Sequence, residues 1–283
     1  MMKQTRSESG MDFRRDTLVW CFSSLGIPEA TLPELLALAD RWHIPYLELR
    51  TLNGGLDLAG GLEAYHREQP EAFAALAASG RIKALDTSFA LVGGTPQNWE
   101  DFRRLAGWAD RLASPYLRVF GGFDFQCNNL ADKLKQAAET LQRWQEMRAR
   151  DGFACELAVE THDGMSSLAR CRELATLWGR SFPIVWDAHH TWCVAGERFD
   201  QTFGLLEDGS IVHLHVKDSA VGPDGKRAGV LSGRGDVPIP ELLAMLRREK
   251  FRGPVSLEWE KKWEPHLPEL AEALAATAEH WLP

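Results

Sequence analysis

The stretch IVHLHVKDS (211–219) begins with apolar residues and then offers an imidazole, and three other stretches follow the same design. These are LAVETHDG (157–164), IVWDAHHTW (184–192) and VSLEWEKKW (255–263). Each begins with the Val, Ile and Leu residues typical of a buried parallel strand and turns polar at its C-terminal end. The four ends supply residues that can bind a metal: Glu160, Asp187, His215 and Glu258.

The spacing of these four residues indicates where they meet. Intervals of about 27, 28 and 43 residues suit repeated strand–helix units and are too long for a local metal-binding loop. In a closed parallel barrel, the C-terminal ends of the strands converge on one mouth. Three carboxylates and one imidazole suit a hard or borderline divalent ion such as Mn²⁺, Co²⁺, Mg²⁺ or Zn²⁺. The sequence therefore predicts a metal ion at the mouth of a barrel.

Eight strand-like runs, each followed by a helical pattern, occupy the chain. The predicted strands cover residues 18–25, 46–52, 82–91, 116–123, 155–162, 182–188, 211–217 and 254–260. Barrels of eight such units contain about 250 residues in one domain, which suits a chain of 283 residues. We predict an α/β fold, a single (β/α)8 TIM barrel over residues 17–283, after a flexible N-terminal tail over residues 1–16. The glycine-rich segment 53–62 is predicted to be a loop, and 199–207 a short helix.

Composition narrows the class of protein and its partners. The chain is 45% hydrophobic and 25% charged, as in ordinary globular proteins. A net charge of −8 without a Lys/Arg-rich block argues against a nucleic-acid partner, since phosphates require a basic face. No apolar run reaches the ~18–20 residues of a membrane span, and the first residues lack the apolar core of a secretion signal. Five dispersed cysteines predict reduced thiols and a cytoplasmic protein.

Strand alternation predicts which side chains enter the barrel. Three strands carry ionisable residues on one face: Glu156, Glu160 and His162 on the fifth, His213, His215 and Lys217 on the seventh, and Glu258 and Glu260 on the eighth. The opposite face of the seventh strand carries Leu214 and Val216, which suit the helix layer. Several carboxylates inside a barrel would repel one another, so we expect a cation between them. Glu48 and Arg50 share a face of the second strand, either as a structural ion pair or as substrate-binding groups.

Four segments together resemble the xylose-isomerase-like barrel superfamily: WDAHH (186–190), HLHVKD (213–218), GRGDVP (233–238) and SLEWEKKW (256–263). The resemblance extends over nearly the whole chain, from about residue 17 onward. The superfamily includes sugar isomerases and epimerases, inosose and dehydroshikimate dehydratases and an AP-endonuclease branch. The resemblance implies one divalent metal ion with four ligands: Glu160, Asp187, His215 and Glu258.

The resemblance also implies a reaction and its residues. It implies an isomerase or epimerase of a sugar or sugar-like polyhydroxy carbonyl compound, which transfers a proton through a metal-stabilised enediolate. The implied catalytic residues are Glu160, Glu258, His162 and Lys217. The implied substrate-binding residues are Glu48, Arg50, His190, Arg234 and Glu260. Relatives often carry a His three residues after Asp187, which favours His190, whereas strand alternation favours His189.

Several alternatives stay open. Lys217 could instead form a salt bridge with Asp218 or with a neighbouring strand, and Arg234 could be a solvated loop charge. Some sugar epimerases carry a second Glu six residues after the fifth-strand ligand, where this chain has Ser166. This departure argues against a ketose 3-epimerase of that kind and leaves His162 or Glu260 as the candidate partner acid or base. The main alternative activity is a dehydratase of inosose or dehydroshikimate type. An AP endonuclease fits less well, because the second to fourth strands end in LRTL, DTSF and FGGF without histidines.

The expected partner is a small sugar-like substrate. The resemblance also allows a homo-oligomer, since relatives often form dimers or tetramers. An interpretation outside catalysis is a barrel that binds a sugar-like ligand without turnover, and the set of metal ligands argues against it.

Overall fold

Eight parallel strands close into a barrel in the computed structural model, which describes residues 12–205 and 209–283. The barrel strands are β1 (Val19–Ser23), β2 (Tyr46–Leu49), β3 (Ile82–Ala90), β4 (Tyr116–Phe120), β5 (Glu156–Glu160), β6 (Ile184–Asp187), β7 (Ile211–Val216) and β10 (Pro254–Leu257). Each strand pairs in parallel with the next, and β10 closes the barrel against β1. The predicted (β/α)8 barrel is confirmed.

Helices surround the barrel and connect successive strands. They are α1 (Leu32–Trp42), α2 (Leu58–Glu68), α3 (Pro70–Ser79), α4 (Pro96–Arg111), α5 (Leu130–Asp151), α6 (Leu168–Trp178), α7 (Ala188–Cys193), α8 (Phe199–Thr202), α9 (Ile239–Arg248) and α10 (Leu270–His280). Local sequence sets their ends: Thr95 and Asn98 form a capping box at the start of α4, and Gly152 ends α5 in the left-handed conformation. No helix within the described ranges is both long and apolar enough to cross a membrane.

The two sides of the strands differ sharply in chemistry. Outward residues such as Leu117 and Leu214 join the buried apolar layer between strands and helices. The interior instead holds buried ionisable side chains that contact one another across the strands: Glu48, Asp86, Arg118, Glu160, Asp187, His213, His215 and Glu258. Barrel interiors are usually filled by branched apolar residues. This interior is therefore built for electrostatics as well as for packing.

The segment predicted as a loop over 53–62 is partly helical, so that prediction was wrong. Helix α2 begins within it, because the Asp57 side chain accepts a hydrogen bond from the Gly60 N–H at 2.9 Å. Leu58 and Leu62 are buried and hold the glycine-rich first turn against the barrel. Packing thus overrides the low helix propensity of glycine.

An antiparallel hairpin follows β7 and was not predicted. Its strands are β8 (Asp218–Val221) and β9 (Arg227–Val230), joined by the turn GPDG (222–225). Of the predicted short helix over 199–207, the structure has α8 and a 3₁₀ turn to Leu205. Residues 206 and 207 lie outside the described residues.

The chain before β1 packs onto the barrel from residue 12 onward. Phe13 is buried against the rings of Trp20 and Trp42. The Asp16 carboxylate accepts hydrogen bonds from Trp20 Nε1 at 2.9 Å and from the Arg247 guanidinium on α9 at 2.7 Å. These contacts make residues 12–16 part of the packed domain. Residues 1–11 of the predicted tail lie outside the described residues.

We predict that Leu243→Ala destabilises the fold by about 2–5 kcal/mol, because this α9 side chain is fully buried and its removal leaves a cavity. Leu177→Ala is the matched control, since Leu177 is 55% exposed on α6 and should change the free energy of unfolding by less than about 0.5 kcal/mol. Urea unfolding followed by circular dichroism measures both. Equal midpoints for the two variants would contradict the assigned helix layer.

Candidate metal centre

The C-terminal ends of four strands bring the predicted metal ligands together. One donor atom from each of Glu160, Asp187, His215 and Glu258 lies within 4.8 Å of the other three. Glu160 and Asp187 end β5 and β6, and Asp187 pairs in register with His215 on β7. Glu258 follows directly after β10. All four side chains are buried, with at most 4% of each residue exposed.

The donor set fits a divalent cation. Glu160 Oε2 and Asp187 Oδ2 are buried without a hydrogen bond to the described residues, and each lies beside one cation, Arg118 Nε at 3.3 Å and Lys217 Nζ at 2.9 Å. Because a carboxylate oxygen has two lone pairs, each can also face an ion. His215 Nδ1 lies 3.0 Å from Glu160 Oε1 and 3.4 Å from Glu258 Oε1. Three buried carboxylates around one imidazole repel one another unless a cation joins them. Oxygen and imidazole donors together suit Mn²⁺, Co²⁺, Mg²⁺ and Zn²⁺.

Burial and neighbouring charges set the protonation of the ligands. Burial raises the pKa of Glu258 to about 7, although His215 and Lys217 act in the opposite direction. For Glu160, burial is outweighed by the charges of Arg118 and His215, and its pKa falls well below the usual range. Two chemically identical carboxylates therefore differ in proton affinity.

Lys217 bridges the ligand set to a further carboxylate. Its Nζ lies 2.6 Å from Glu258 Oε2, 2.9 Å from Asp187 Oδ2 and 2.5 Å from Glu260 Oε1. Burial opposes its charge, but Asp187 and Glu258 raise the pKa of Lys217 well above its usual value. The side chain is thus held as an ammonium donor beside the centre. Its salt-bridge partners are these carboxylates, not the adjacent Asp218.

Three further histidines, His162, His189 and His190, lie near the candidate ligands and differ in orientation. The backbone N–H of His190 donates to Asp187 Oδ1 at 2.8 Å, and the centroid of the His190 ring lies 4.5 Å from that of the His162 ring. His189 instead places Nε2 2.7 Å from Ser219 Oγ on the hairpin. Burial lowers the pKa of both His189 and His190 to about 4, so both rings are neutral near pH 7. Neutral imidazoles can accept hydrogen bonds from substrate hydroxyls.

Glu48 and Arg50 occupy different environments and do not form the ion pair considered from the sequence. Glu48 is fully buried and lies 2.8 Å from His215 Nε2, beneath the ligand set. Arg50 donates from Nη2 to Ser88 Oγ at 2.8 Å, and its Nη1 is buried without a hydrogen bond to the described residues. Burial and the charge of Arg118 lower the pKa of Arg50 to about 10.

Arg118 is a site residue that the sequence analysis missed. It is 1% exposed on β4, with Nε 3.3 Å from Glu160 Oε2 and an amino nitrogen 3.4 Å from Asp86 Oδ2. Burial opposes its charge, but the two carboxylates raise the pKa of Arg118. A charged residue in the middle of the apolar run YLRVF (116–120) was the signal.

The motifs HLHVKD and GRGDVP are in direct contact. Asp218 Oδ2 accepts hydrogen bonds from the N–H groups of Gly233 at 2.9 Å and Gly235 at 3.0 Å. A Cβ at Gly235 would lie 1.9 Å from Asp218 Oδ1, so only glycine permits this approach. Arg234, implied as a substrate-binding residue, is exposed between these glycines. Asp218 thus fixes the loop to the start of the hairpin.

A cavity of about 380 Å³ opens beside Glu258. The described residues that line it do not include Arg234 and contribute charged, imidazole and aromatic groups: His189, His190, Lys217, Arg227, Trp259 and Glu260. Arg227 extends from β9 and donates to Ser219 Oγ at 2.9 Å. A mixed polar and apolar lining at a barrel mouth is typical of a small-molecule site.

We predict that Asp218→Ala frees the loop around Arg234. Each hydrogen bond to the charged carboxylate contributes about 1.5–3 kcal/mol, so losing both should speed tryptic cleavage after Arg234 by ~10-fold or more. The control is Asp224→Ala at the hairpin turn, whose carboxylate accepts a hydrogen bond from the exposed Lys226 N–H and from no other residue in the described part of the chain. Mass spectrometry of timed digests locates the cut. Cleavage of Asp218→Ala no faster than that of the control would contradict the anchoring role.

Solved structures with the same fold include the IolI protein with a bound zinc atom, at 17% identity and a TM-score of 0.71. That similarity covers 93% of this chain and 96% of that chain. The probable 3-DHS dehydratase AsbF from Bacillus anthracis is 15% identical, with a TM-score of 0.68, and the similarity covers 93% of this chain and 98% of that chain. The 3-keto-D-glucoside 4-epimerase YcjR from E. coli is 13% identical, with a TM-score of 0.65, and the similarity covers 87% of this chain and 98% of that chain.

These structures establish similarity of fold. No curated protein matches the sequence. The family model described as "Xylose isomerase-like TIM barrel" matches residues 55–281, which is most of the chain. The match includes all four strand ends that gather at the candidate metal centre. The chain therefore belongs to the xylose isomerase-like TIM barrel family.

Proposed function

We propose that this protein is a divalent-metal-dependent isomerase or epimerase of a small sugar-like polyhydroxy carbonyl compound. The observation that carries the proposal is the buried set of Glu160, Asp187, His215 and Glu258 at the C-terminal ends of their strands. The adjoining cavity of about 380 Å³ is large enough for a sugar-sized molecule. The epimerase and zinc-bound barrels of the same fold are consistent with this chemistry.

The four strand-end side chains would hold one ion, which fits their composition of three carboxylates and one imidazole. When bound, a divalent ion supplies polarisation of a substrate carbonyl and stabilises the negative charge that develops on its oxygen. This chemistry makes a C–H bond next to the carbonyl more acidic. The remaining task of the protein is to take up that proton and return it.

Glu160 and Glu258 are the candidates for this proton transfer. Strands β6 and β7 separate β5 from β10, so the two carboxylates approach the centre from different sides. That arrangement suits removal of a proton on one face and its return on the other. Lys217 and His162 are the supporting catalytic candidates, with Lys217 placed to donate a hydrogen bond to a substrate oxygen. Arg50, His190 and Glu260 are proposed to bind substrate hydroxyls, whereas the exposed Arg234 would need its loop to bend inward.

A dehydratase is the second candidate. Lys217 is a buried ammonium held between Glu258 and Glu260, and it could donate a hydrogen bond to a leaving hydroxyl. Glu258, whose pKa burial raises to about 7, could protonate that hydroxyl. The same fold occurs in the probable 3-DHS dehydratase AsbF. A cytoplasmic location and a homo-oligomeric state stay predictions.

We predict that Glu160→Gln and Glu258→Gln each lose bound metal and activity while keeping the fold, because each removes a charged ligand. Elemental analysis after loading with Mn²⁺ or Zn²⁺ should give about one equivalent for the native protein and a strongly reduced content for both variants. Glu156→Gln is the matched control on β5. Strand alternation predicted that Glu156 enters the barrel, and this was wrong, because its carboxylate bonds to Trp144 and Arg148 on α5. Full metal content in both site variants would refute the ligand set.

We predict proton transfer in place of water loss when metal-loaded protein is screened with ketoses and related keto-cyclitols in D₂O. An isomerase or epimerase should place deuterium on the carbon next to the carbonyl, as read by NMR and mass spectrometry. A dehydratase should give a product lighter by one water, with a new conjugated carbonyl absorbance. The Glu160→Gln variant is the inactive control. Product formation that is equal in this variant would exclude the proposed centre as the source.

A further inference from the structure

We infer that Glu48, supported by His213, is a positioning residue that fixes the proton of His215 on Nε2 and so turns Nδ1 toward the metal ligands. The inference rests on the proposed metal centre but concerns a carboxylate that lies outside the four ligands. Glu48 was implied as a substrate-binding residue. Its complete burial on β2 keeps it from the cavity and gives it a different role.

Both ring nitrogens of His215 are used, and they face different groups. Nδ1 faces the candidate ligands, 3.0 Å from Glu160 Oε1 and 3.4 Å from Glu258 Oε1. Nε2 faces away from them and lies 2.8 Å from Glu48 Oε2. A ring with one nitrogen toward a metal and the other toward a carboxylate is the arrangement that orients metal-binding histidines.

His213 strengthens the hold on Glu48. It lies two residues before His215 on β7, so both rings project from the same inner face. Its Nε2 lies 2.6 Å from the same oxygen, Glu48 Oε2, and the two rings stand nearly perpendicular at 88°. One carboxylate oxygen therefore contacts two imidazoles. All three side chains are shielded from water, which strengthens these contacts.

This geometry decides which proton of His215 an ion would displace. Nε2 lies 2.8 Å from Glu48 Oε2 and Nδ1 lies 3.0 Å from Glu160 Oε1, so without an ion either nitrogen can share a proton with a carboxylate. With an ion at the four ligands, Nδ1 would face the ion with its lone pair, and Glu48 would keep the remaining proton on Nε2. The other tautomer would direct an N–H toward the ion and leave two lone pairs facing each other at Glu48. Without the carboxylate, we expect both tautomers to be populated and the affinity for metal to fall.

The same three residues could themselves be suspected as a second metal site, since one donor atom from each lies within 4.8 Å of the others. The short contacts of Glu48 Oε2 to both rings are those of hydrogen bonds and leave no room for an ion between them. Metal stoichiometry separates the two interpretations. A single equivalent agrees with the positioning role.

The test compares Glu48→Gln with Glu156→Gln, a substitution of the same kind on β5 whose carboxylate contacts α5 instead of the barrel interior. Zn²⁺ affinity is measured by chelator competition on the full chain, with circular dichroism as the check on folding. We expect Glu48→Gln to bind Zn²⁺ 10- to 100-fold more weakly at a single site, and Glu156→Gln to match the native protein. The inference would be overturned if Glu48→Gln bound Zn²⁺ with the affinity of the native protein. It would also be overturned if the native protein bound two equivalents of Zn²⁺ and Glu48→Gln lost one of them.

A second measurement uses only the native protein, so it does not depend on the folding of a variant. It tests the role of Glu48 even when Zn²⁺ does not bind. ¹⁵N-edited NMR of histidine-labelled native protein reports which nitrogen of His215 carries a slowly exchanging proton. We expect a proton on Nε2, with Zn²⁺ shifting only Nδ1. A proton on Nδ1 alone would overturn the inference. A protonated Nε2 without any metal binding would uphold the role of Glu48 and refute the proposed metal function instead.

Discussion

Burying like charges is the constraint on which this barrel depends. Glu160, Asp187 and Glu258 are almost completely shielded from water, and carboxylates in such a place persist only where cations face them. Arg118 faces Glu160 from β4, and Lys217 faces the other two from the end of β7. The chain thus compensates the charge at the edges of the cluster and leaves its centre for an ion.

Below the mouth of the barrel, buried imidazoles and buried carboxylates continue this compensation of charge. Under the candidate ligands lies the imidazole of His213, and beside it lie the carboxylates of Glu48 and Asp86. Burial and the charge of Glu48 raise the pKa of Asp86 well above its usual value. Each side chain is held by a neighbour from another strand, so the positions of the metal ligands are determined by the whole barrel instead of one loop.

Sequence alone predicted the fold and the meeting of the four candidate ligands, because both follow from where the parallel strands end. Parallel strands end on one edge, which places Glu160 with His215, and a period of two turns Lys217 to the same side. Arg118 was missed because its partners come from two other strands, and no local pattern names them. The depth of Glu48 depends on the register between strands, which the sequence of one strand does not contain. Helix α2 was missed because tertiary packing outweighed its glycines.

The hairpin after β7 separates the shape of the cavity wall from the positions of the candidate metal ligands. Strand β7 carries His215, and the hairpin that continues from it carries Arg227 into the cavity wall. The connection between them is clamped by Asp218, whereas the GPDG turn at the far end is exposed to solvent. Insertions or substitutions at that turn can therefore reshape the wall without disturbing the ligands. In terms of the proposed function, the architecture would allow the substrate range to diversify while the proposed metal chemistry stays the same.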